Sequence, residues 1–600
     1  GSFGYRFVDG AVVIEKGSFH GEGATLAVER VTGRLTAGDG GAPGRRPLSV
    51  DVTGVAMRRG DLDVTGLAGT LRGVYAADAR GKWLEGTAAV AADKIIFRGK
   101  EVASPSVRLF MARPGWRGEL GGALLGGGVN GTVNFNPFDR QEGYRFQAGV
   151  KGGQLATAGT LLPKREGATL AGGEFSATGS GSYTVRSGLD CRFDARGENI
   201  SLTGRGGKSL LAGGGVRLAG GIGGRTLTVK DAFVTVGEGV SLTAKGELAN
   251  FPSPEREGQF TYALARTTLN GLIDPFVNIL PRALQEATVE GEVAAEGKIE
   301  LHPGEKLVDG TLLLNGVRLE MATQKITVAD INGRVPFSLD LASGVPNRPG
   351  APLSFSRENY TLLFDRLGKR AGTPDLTIGA VRFGPLALER TTLELRAGNG
   401  LTEIVSLRSS LYEGVVLGKG FVAMKGGAAY GGDLLLNGLS LQEFCNAIPK
   451  IKGYILGRLD GIVSIYGEGK GMADVAGFVD LWAREGNGEK MLVSKEFLQR
   501  LAGKKLRGFF FRNDRSYDKA EISATLENGY LTFETLDISN RNFFGVRDLV
   551  VSVAPVQNRI AMDHLFEAVK QAAARGKAAT ATGEQPPAEA PVDPEFKWEE

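Results

Sequence analysis

The sequence predicts a mostly β protein, an elongated, highly curved, repetitive β-sheet groove (taco-like) with a few short helices. Three observations predict it. First, apolar and polar residues alternate over short runs, as in Leu242, Ala244 and Leu248 against Thr243, Lys245 and Glu247. Side chains on a strand point to opposite faces with period two, so each run has one apolar and one wet face. Second, glycine makes up 91 of 600 residues with only 23 prolines and no triplet period, which excludes collagen. Third, glycine-containing turns recur at roughly the 8–12-residue spacing of all-β architectures.

Taken in order, strands are expected at Ala11–Ile14, Thr25–Val28, Leu62–Val64, Lys94–Phe97, Tyr144–Val150, Phe175–Ala177, Tyr183–Val185 and Leu227–Val229. Leu48–Leu71 and Leu312–Val335 share a pattern of strand, Gly-Val, strand, turn, strand, a weak internal repeat. Asn315-Gly316, Asn437-Gly438 and Asn528-Gly529 are candidate hairpin turns, the last best placed between two alternating runs. On the order of 40 strands are expected, which at about 4.8 Å each make a sheet some ~190 Å long. Helices interrupt the pattern at Asn270–Ala287, after a Ser440/Glu443 capping box, at Ser494–Ala502 and at Asp563–Ala574. The segments read as 1–250, 251–440 with the first helix, 441–576, and a disordered Ala/Pro/Glu-rich tail at 577–600.

Charge is nearly balanced, 71 basic against 67 acidic residues, and interspersed. A nucleic-acid binder would gather Lys and Arg into one stripe, so no nucleic-acid partner is expected. His20, His302 and His564 stand apart, without metal-ligand spacing. Gly126, Gly128 and Gly131 match G-x-G-x-x-G, but the strand-like Thr132, Val133 and Phe135 follow where a phosphate cradle needs a helix. Gly207-Lys208-Ser209 lacks the earlier glycine of a P-loop, and Cys191 and Cys445 lie far apart in sequence. No catalytic constellation and no cofactor are expected. Gly1-Ser2 resembles a tag remnant, so an anchor upstream is compatible with the absence of any run of about eighteen apolar residues here.

A sheet closed on itself would leave voids opposite its many small residues, which protein interiors do not tolerate. An open trough lets small residues bend the strands while the alternate apolar side chains line a track, and an apolar surface of that size calls for an apolar ligand such as an acyl chain. Two other readings stand beside it: a filled β-solenoid acting as surface adhesin or stalk, and a polysaccharide-acting β-helix enzyme built on paired carboxylates.

Tyr517–Ala554 (YDKAEISATLENGYLTFETLDISNRNFFGVRDLVVSVA) resembles the closing segment of AsmA-like proteins, with a strand, an Asn-Gly turn, a Leu/Phe-alternating strand and an Asn…Phe…Gly turn. Gly453–Ala483 is similar to the segment that precedes it there, and Val308–Leu341, with Gly316-Val317 and Val335-Pro336-Phe337, to repeats of the YdbH branch; a TamB-like assignment is the third branch. The resemblance implies a bacterial periplasmic protein, anchored in the inner membrane in its full-length form. It implies a bridge-like lipid transfer conduit carrying phospholipid between inner and outer membranes, with an envelope protein as partner at either end. On this reading the lipid-facing residues are Val317, Leu319, Met321, Leu393, Leu395, Ile522, Leu526, Leu531 and Phe533. The first helix would cap or lid the groove, and Asp563–Ala574 would plug one end or pack on the last strands.

Overall fold

A computed structural model describes residues 2–561 except 10, 22–23, 36–44, 79–80, 138–142, 160–168, 205–208, 238, 280–284, 324, 343, 346, 349–354, 370–371, 385, 426, 448–452, 469–473, 485–489, 502–512, 542 and 553–558. The expected helix Asp563–Ala574 and the tail lie outside the described residues. The chain folds as two units, Gly1–Ala265 with Gly271–Ile279, and Arg266–Asn270 with Leu280–Glu600. Both are mostly β, and the described residues hold 34 strands and only short helices.

In the first unit, strands follow one another as an antiparallel meander from Ser2–Val8 to Glu257–Thr268. Each pairs with the next, apart from Lys94–Phe97, which completes the broken strand Gly81–Ala91 between Leu62–Asp78 and Lys100–Met111. The second unit continues the same plan from Thr288–His302 to Arg559–Ala561. Two excursions leave its meander. A strap between Ile326–Asp340 and Leu376–Phe383 carries the helix Tyr360–Gly368. A small module adds the helices Leu441–Ala447 and Lys495–Leu501 and a three-stranded sheet of Ile455–Leu456, Leu492–Val493 and Arg515–Ser516.

Strands reach 15–17 residues in Thr288–His302 and Glu305–Met321, longer than the alternating runs alone imply, because glycines inside a run do not end it. Asn528-Gly529 forms the expected two-residue hairpin, with Glu527 opposite Tyr530 and φ of 52° and 77° at the turn. The other two Asn-Gly pairs are corrections. Asn315-Gly316 lies within Glu305–Met321 and Asn437-Gly438 within Ala428–Ser440, each where the register shifts. A glycine in the left-handed region, as Gly438 is at φ 64°, can build a bulge as readily as a turn. Here the flanking residues keep pairing with the same neighbours, so a bulge forms.

The Ser440/Glu443 capping box forms by half, since the Ser440 amide donates to the Tyr412 carbonyl instead of to Glu443, and Ser494 caps a second helix start. The Glu443 amide donates to Ser440 Oγ at 3.2 Å, and the Phe497 amide donates to Ser494 Oγ at 3.2 Å. Of the expected Asn270–Ala287, an α-turn Leu269–Ile273, a 3-10 turn Asp274–Ile279 and a helical Gln285 are described, with 280–284 outside the described residues. Asp274-Pro275 breaks the helical ladder there, since proline offers no amide hydrogen. The helix Tyr360–Gly368 is not among the sequence expectations.

Candidate functional site

Residues directly opposite in an antiparallel ladder share a face, so the register traces each face across each unit. In the first unit one row runs Phe7, Val12, Gly33, Val50, Leu71, Ala88, Leu109, Gly118, Val133, Phe146, Gly181, Cys191, Ile222, Leu227, Leu248, Gly258. It crosses sixteen strands without a charged side chain. One residue along, on the opposite face, the row reads Thr32, Asp51, Thr70, Ala89, Arg108, Glu119, Thr132, Gln147, Ser180, Arg192, Gly221, Thr228, Glu247, Gln259. Cross-strand pairs such as Arg72–Asp51 at 2.6 Å and Arg45–Glu85 at 2.7 Å hold that wet face. Each such exposed pair is worth about 0.2–1 kcal/mol.

The second unit repeats the division. Its apolar row runs Val293, Leu314, Gly333, Leu376, Leu393, Leu407, Gly418, Leu434, Val463, Val479, Ala524, Phe533, across twelve strands. All nine residues nominated from sequence fall on this face. Leu319 stands opposite Val328, Val317 opposite Ile331 and Met321 opposite Ile326. Leu395 stands opposite Ile404, Ile522 opposite Leu481, and Leu526 opposite Leu531. Val317, Leu393 and Leu526 are buried among their neighbours; the other six are half-buried.

Glycine on this face has a packing role beyond bending the strand. Phe193 stands between Gly179 and Gly220, and a Cβ on Gly220 would lie 2.9 Å from the ring Cζ. In the second unit a Cβ on Gly418 would lie 2.6 Å from Leu434 Cδ2. Large side chains thus fold flat over the glycines of the next strand and fill the space those glycines would leave empty. The floor is packed one layer deep.

Above that layer the face stays open. In the first unit a cleft of about 290 Å³ is lined by Leu26, Val55, Met57, Val64, Leu67, Val90, Ile95 and Val107 among others. Met57 and Val90 within it remain 39% and 37% exposed. No described apolar side chain of the first unit falls below 3% exposure, as the interior of a filled solenoid would. Leu386, Val422, Met424 and Ile465 are likewise exposed on the second unit's apolar face.

At one end of the second unit's strands the apolar face is covered. Leu411, Val416 and Leu439 pack with Leu388, Leu407, Leu434, Leu436 and Leu459. Beside them the small module seats Cys445, Ile455, Val493 and Leu498 on Ala483, Ala520, Ile538 and Val551. Tyr412 bridges the two, its ring edge-on to Phe444 at 5.8 Å, and burial pushes its phenol up to about 12. The plug is therefore built from helices read in the sequence without that role.

The strap covers the opposite face. Phe355, Tyr360, Leu363 and Leu367 enclose Leu417, Leu435 and Ile462, three outward-pointing aliphatics that would otherwise meet water. Tyr360 Oη donates to the Leu436 carbonyl at 2.7 Å and accepts from Asn437 Nδ2 at 3.0 Å. The Asp460 carboxylate takes the Gly438 amide at 2.8 Å, so the bulge is anchored on both sides. Arg357 stacks over Trp482 and donates to Glu521 at 2.8 Å. Where the strap departs, buried Asp340 accepts from the Lys306 and Ala342 amides and pairs with Lys425 at 2.8 Å. Burial pushes this carboxyl up, but the hydrogen bonds from Lys425, Ala342 and Lys306 outweigh it and hold it below its ordinary value.

Beside the strap a cavity of about 680 Å³ is lined by Arg348, Arg396, Glu403, Lys419, Phe421, Asp433, Tyr466, Glu468 and Asp474 among others. Four of its charges are paired: Arg348 with Glu468, and Lys419 at 3.8 Å with Asp433, which also accepts from Tyr466 Oη at 2.5 Å. Among the described residues no three His, Cys, Asp or Glu side chains are grouped to hold a metal ion. Cys191 and Cys445 are both free thiols. Among the same residues no helix is long and apolar enough to cross a membrane.

The sequence nominated no lipid-facing residue in the first unit, although its apolar row is the longer. The signal was present but diluted, since glycine takes alternate places on the apolar face and erases the hydrophobic period there. The strap helix had a clearer mark, with Tyr360, Leu363, Phe364 and Leu367 at helical spacing. No family model, curated protein or solved structure matches the chain.

Proposed function

We propose that the chain is a lipid conduit, in which the apolar face of each unit is a track for acyl chains and carries no catalysis. The observation that supports this reading is the sixteen-strand row with no charged side chain, left open above a single packed layer. An acyl chain laid on it would cover Met57, Val90 and Ile95 at about 25 cal/mol per Å² of apolar surface removed from water, while the headgroup stays at the rim in water. A lipid held only by such non-directional contacts can slide from strand to strand, and direction would come from whatever meets the two ends.

The AsmA-like resemblance belongs to the same proposal, and with it a periplasmic setting, an inner-membrane anchor in the full-length protein and phospholipid moving between inner and outer membranes. The adhesin reading fits less well, since a stalk gains nothing from a half-exposed Met57 and Val90. For the enzyme reading, one acid pair stands on the wet face, Glu174 directly opposite Glu198 with Arg196 3.9 Å from the latter, while Asp51 and Glu85 are held in ion pairs. The test is lipid extraction and native mass spectrometry of the purified chain. Co-purified phospholipid that is lost on Val90→Asp with Met57→Asp supports the conduit; lipid-free protein that takes up no phospholipid when offered it overturns the reading.

A further inference from the structure

The hairpin that joins Tyr530–Arg541 to Arg547–Ser552 ends in a tip unlike any other turn described. Phe543 is 99% exposed and Phe544 85%, the two rings edge-to-face at 5.7 Å, with Val546 and Val550 also exposed. Two phenyl rings so exposed, side by side at a loop tip, are costly in water.

The base of the tip carries a second, independent oddity. Arg541 and Arg547 stand directly opposite each other in the ladder, both exposed. Like charges so placed repel. Neither guanidinium has an acidic partner among the described residues. Asp548, the nearest carboxylate in sequence, is taken by Arg515 at 2.8 Å and by Asn540 at 2.8 Å. Asp518 accepts the backbone amide of Arg541, and among the described residues it forms no ion pair with either guanidinium.

We propose that this tip docks on an anionic lipid bilayer, with Phe543, Phe544 and Val546 entering the headgroup–acyl boundary and Arg541 and Arg547 receiving lipid phosphates. Apolar insertion and a cationic collar are the two ingredients of interfacial membrane binding, and the bilayer's negative surface resolves the repulsion between the arginines. The strands behind the tip are anchored by packing: Leu549, next to the collar, is buried in the plug cluster with Ile538. Docking therefore presents the plugged end of the second unit to the bilayer. The inference stands apart from the conduit reading, because a tip can bind a membrane whether or not the trough carries lipid.

The test is flotation of the full chain with vesicles of phosphatidylethanolamine and phosphatidylglycerol, against vesicles of phosphatidylcholine alone. Phe543→Ser with Phe544→Ser should lower the bound fraction at least about tenfold. Arg541→Gln with Arg547→Gln should abolish the preference for anionic vesicles and the sensitivity to salt. Phe543→Trp supplies an indole whose emission should shift to the blue on adding anionic vesicles and be quenched by brominated acyl chains. Lipid co-purified in the trough should be unchanged in all these variants, which separates failure here from failure of the conduit reading. Equal flotation of wild type and the Phe543/Phe544 variant overturns the proposal. So does a blue shift without vesicles accompanied by a doubled mass, which would assign the tip to a second copy of the chain.

Discussion

Gly153 and Phe175 stand directly opposite each other on neighbouring strands, and the phenyl ring lies across the glycine. A Cβ at Gly153 would come 2.6 Å from the ring Cζ, and on its other side Phe175 meets a second glycine, Gly197. The pair states the construction rule of the apolar face: a large side chain is laid down where the next strand has none.

Replacing Gly153 by alanine should therefore destabilise the first unit by about 1–3 kcal/mol, the usual cost of overpacking. Phe175→Ala should relieve much of that cost, because the nearest atoms are all in the ring. Urea melts of the two single variants and the double variant measure the coupling. Strictly additive effects would contradict the packing.

The strap helix should matter as much as a core helix. Leu363 is 3% exposed and sits over Leu435 and Ile462. Leu363→Ala should cost about 2–5 kcal/mol, read as a lowered urea midpoint. Leu362→Ala, one residue along and 68% exposed, should change the midpoint little.

The Asp340–Lys425 pair should make the second unit sensitive to acid. The Asp340 carboxyl is held below its ordinary value of 3.8 in the fold. Its contribution is then complete above the unfolded value and is lost as pH falls through the lower folded one. Asp340→Asn should cost about 1.5–3 kcal/mol at neutral pH. The gap between wild type and variant should narrow below about pH 4. Thermal melts from neutral pH downward check this, and parallel curves would contradict it.

Much of this was legible in the sequence. The alternation at Leu319, Leu393, Ile522 and Phe533 assigns those side chains to one face because period two is a property of the strand itself. The Asn528-Gly529 hairpin and the Ser440 cap are local chemistry and were readable for the same reason. What was not legible depends on partners distant in sequence. Whether Asn437-Gly438 turns the chain or bulges it is decided by Asp460 and Tyr360, which bind it from other elements. Likewise Leu417, Leu435 and Ile462 break the wet-face pattern only because a strap from elsewhere covers them. In the first unit the apolar face was masked by its own glycines, whose missing side chains are supplied by neighbours such as Phe175 and Phe193.

The central claim is that the apolar face, and not its reverse, meets lipid. Photocrosslinking tests it most directly, with a benzophenone side chain placed singly at Val90, Leu319 or Phe533 and, on the reverse face, at Ala89, Glu320 or Thr532. The account predicts crosslinked phospholipid at the first three positions and none at the last three. Crosslinks of equal yield on both faces, or on neither while phospholipid is present, would contradict it.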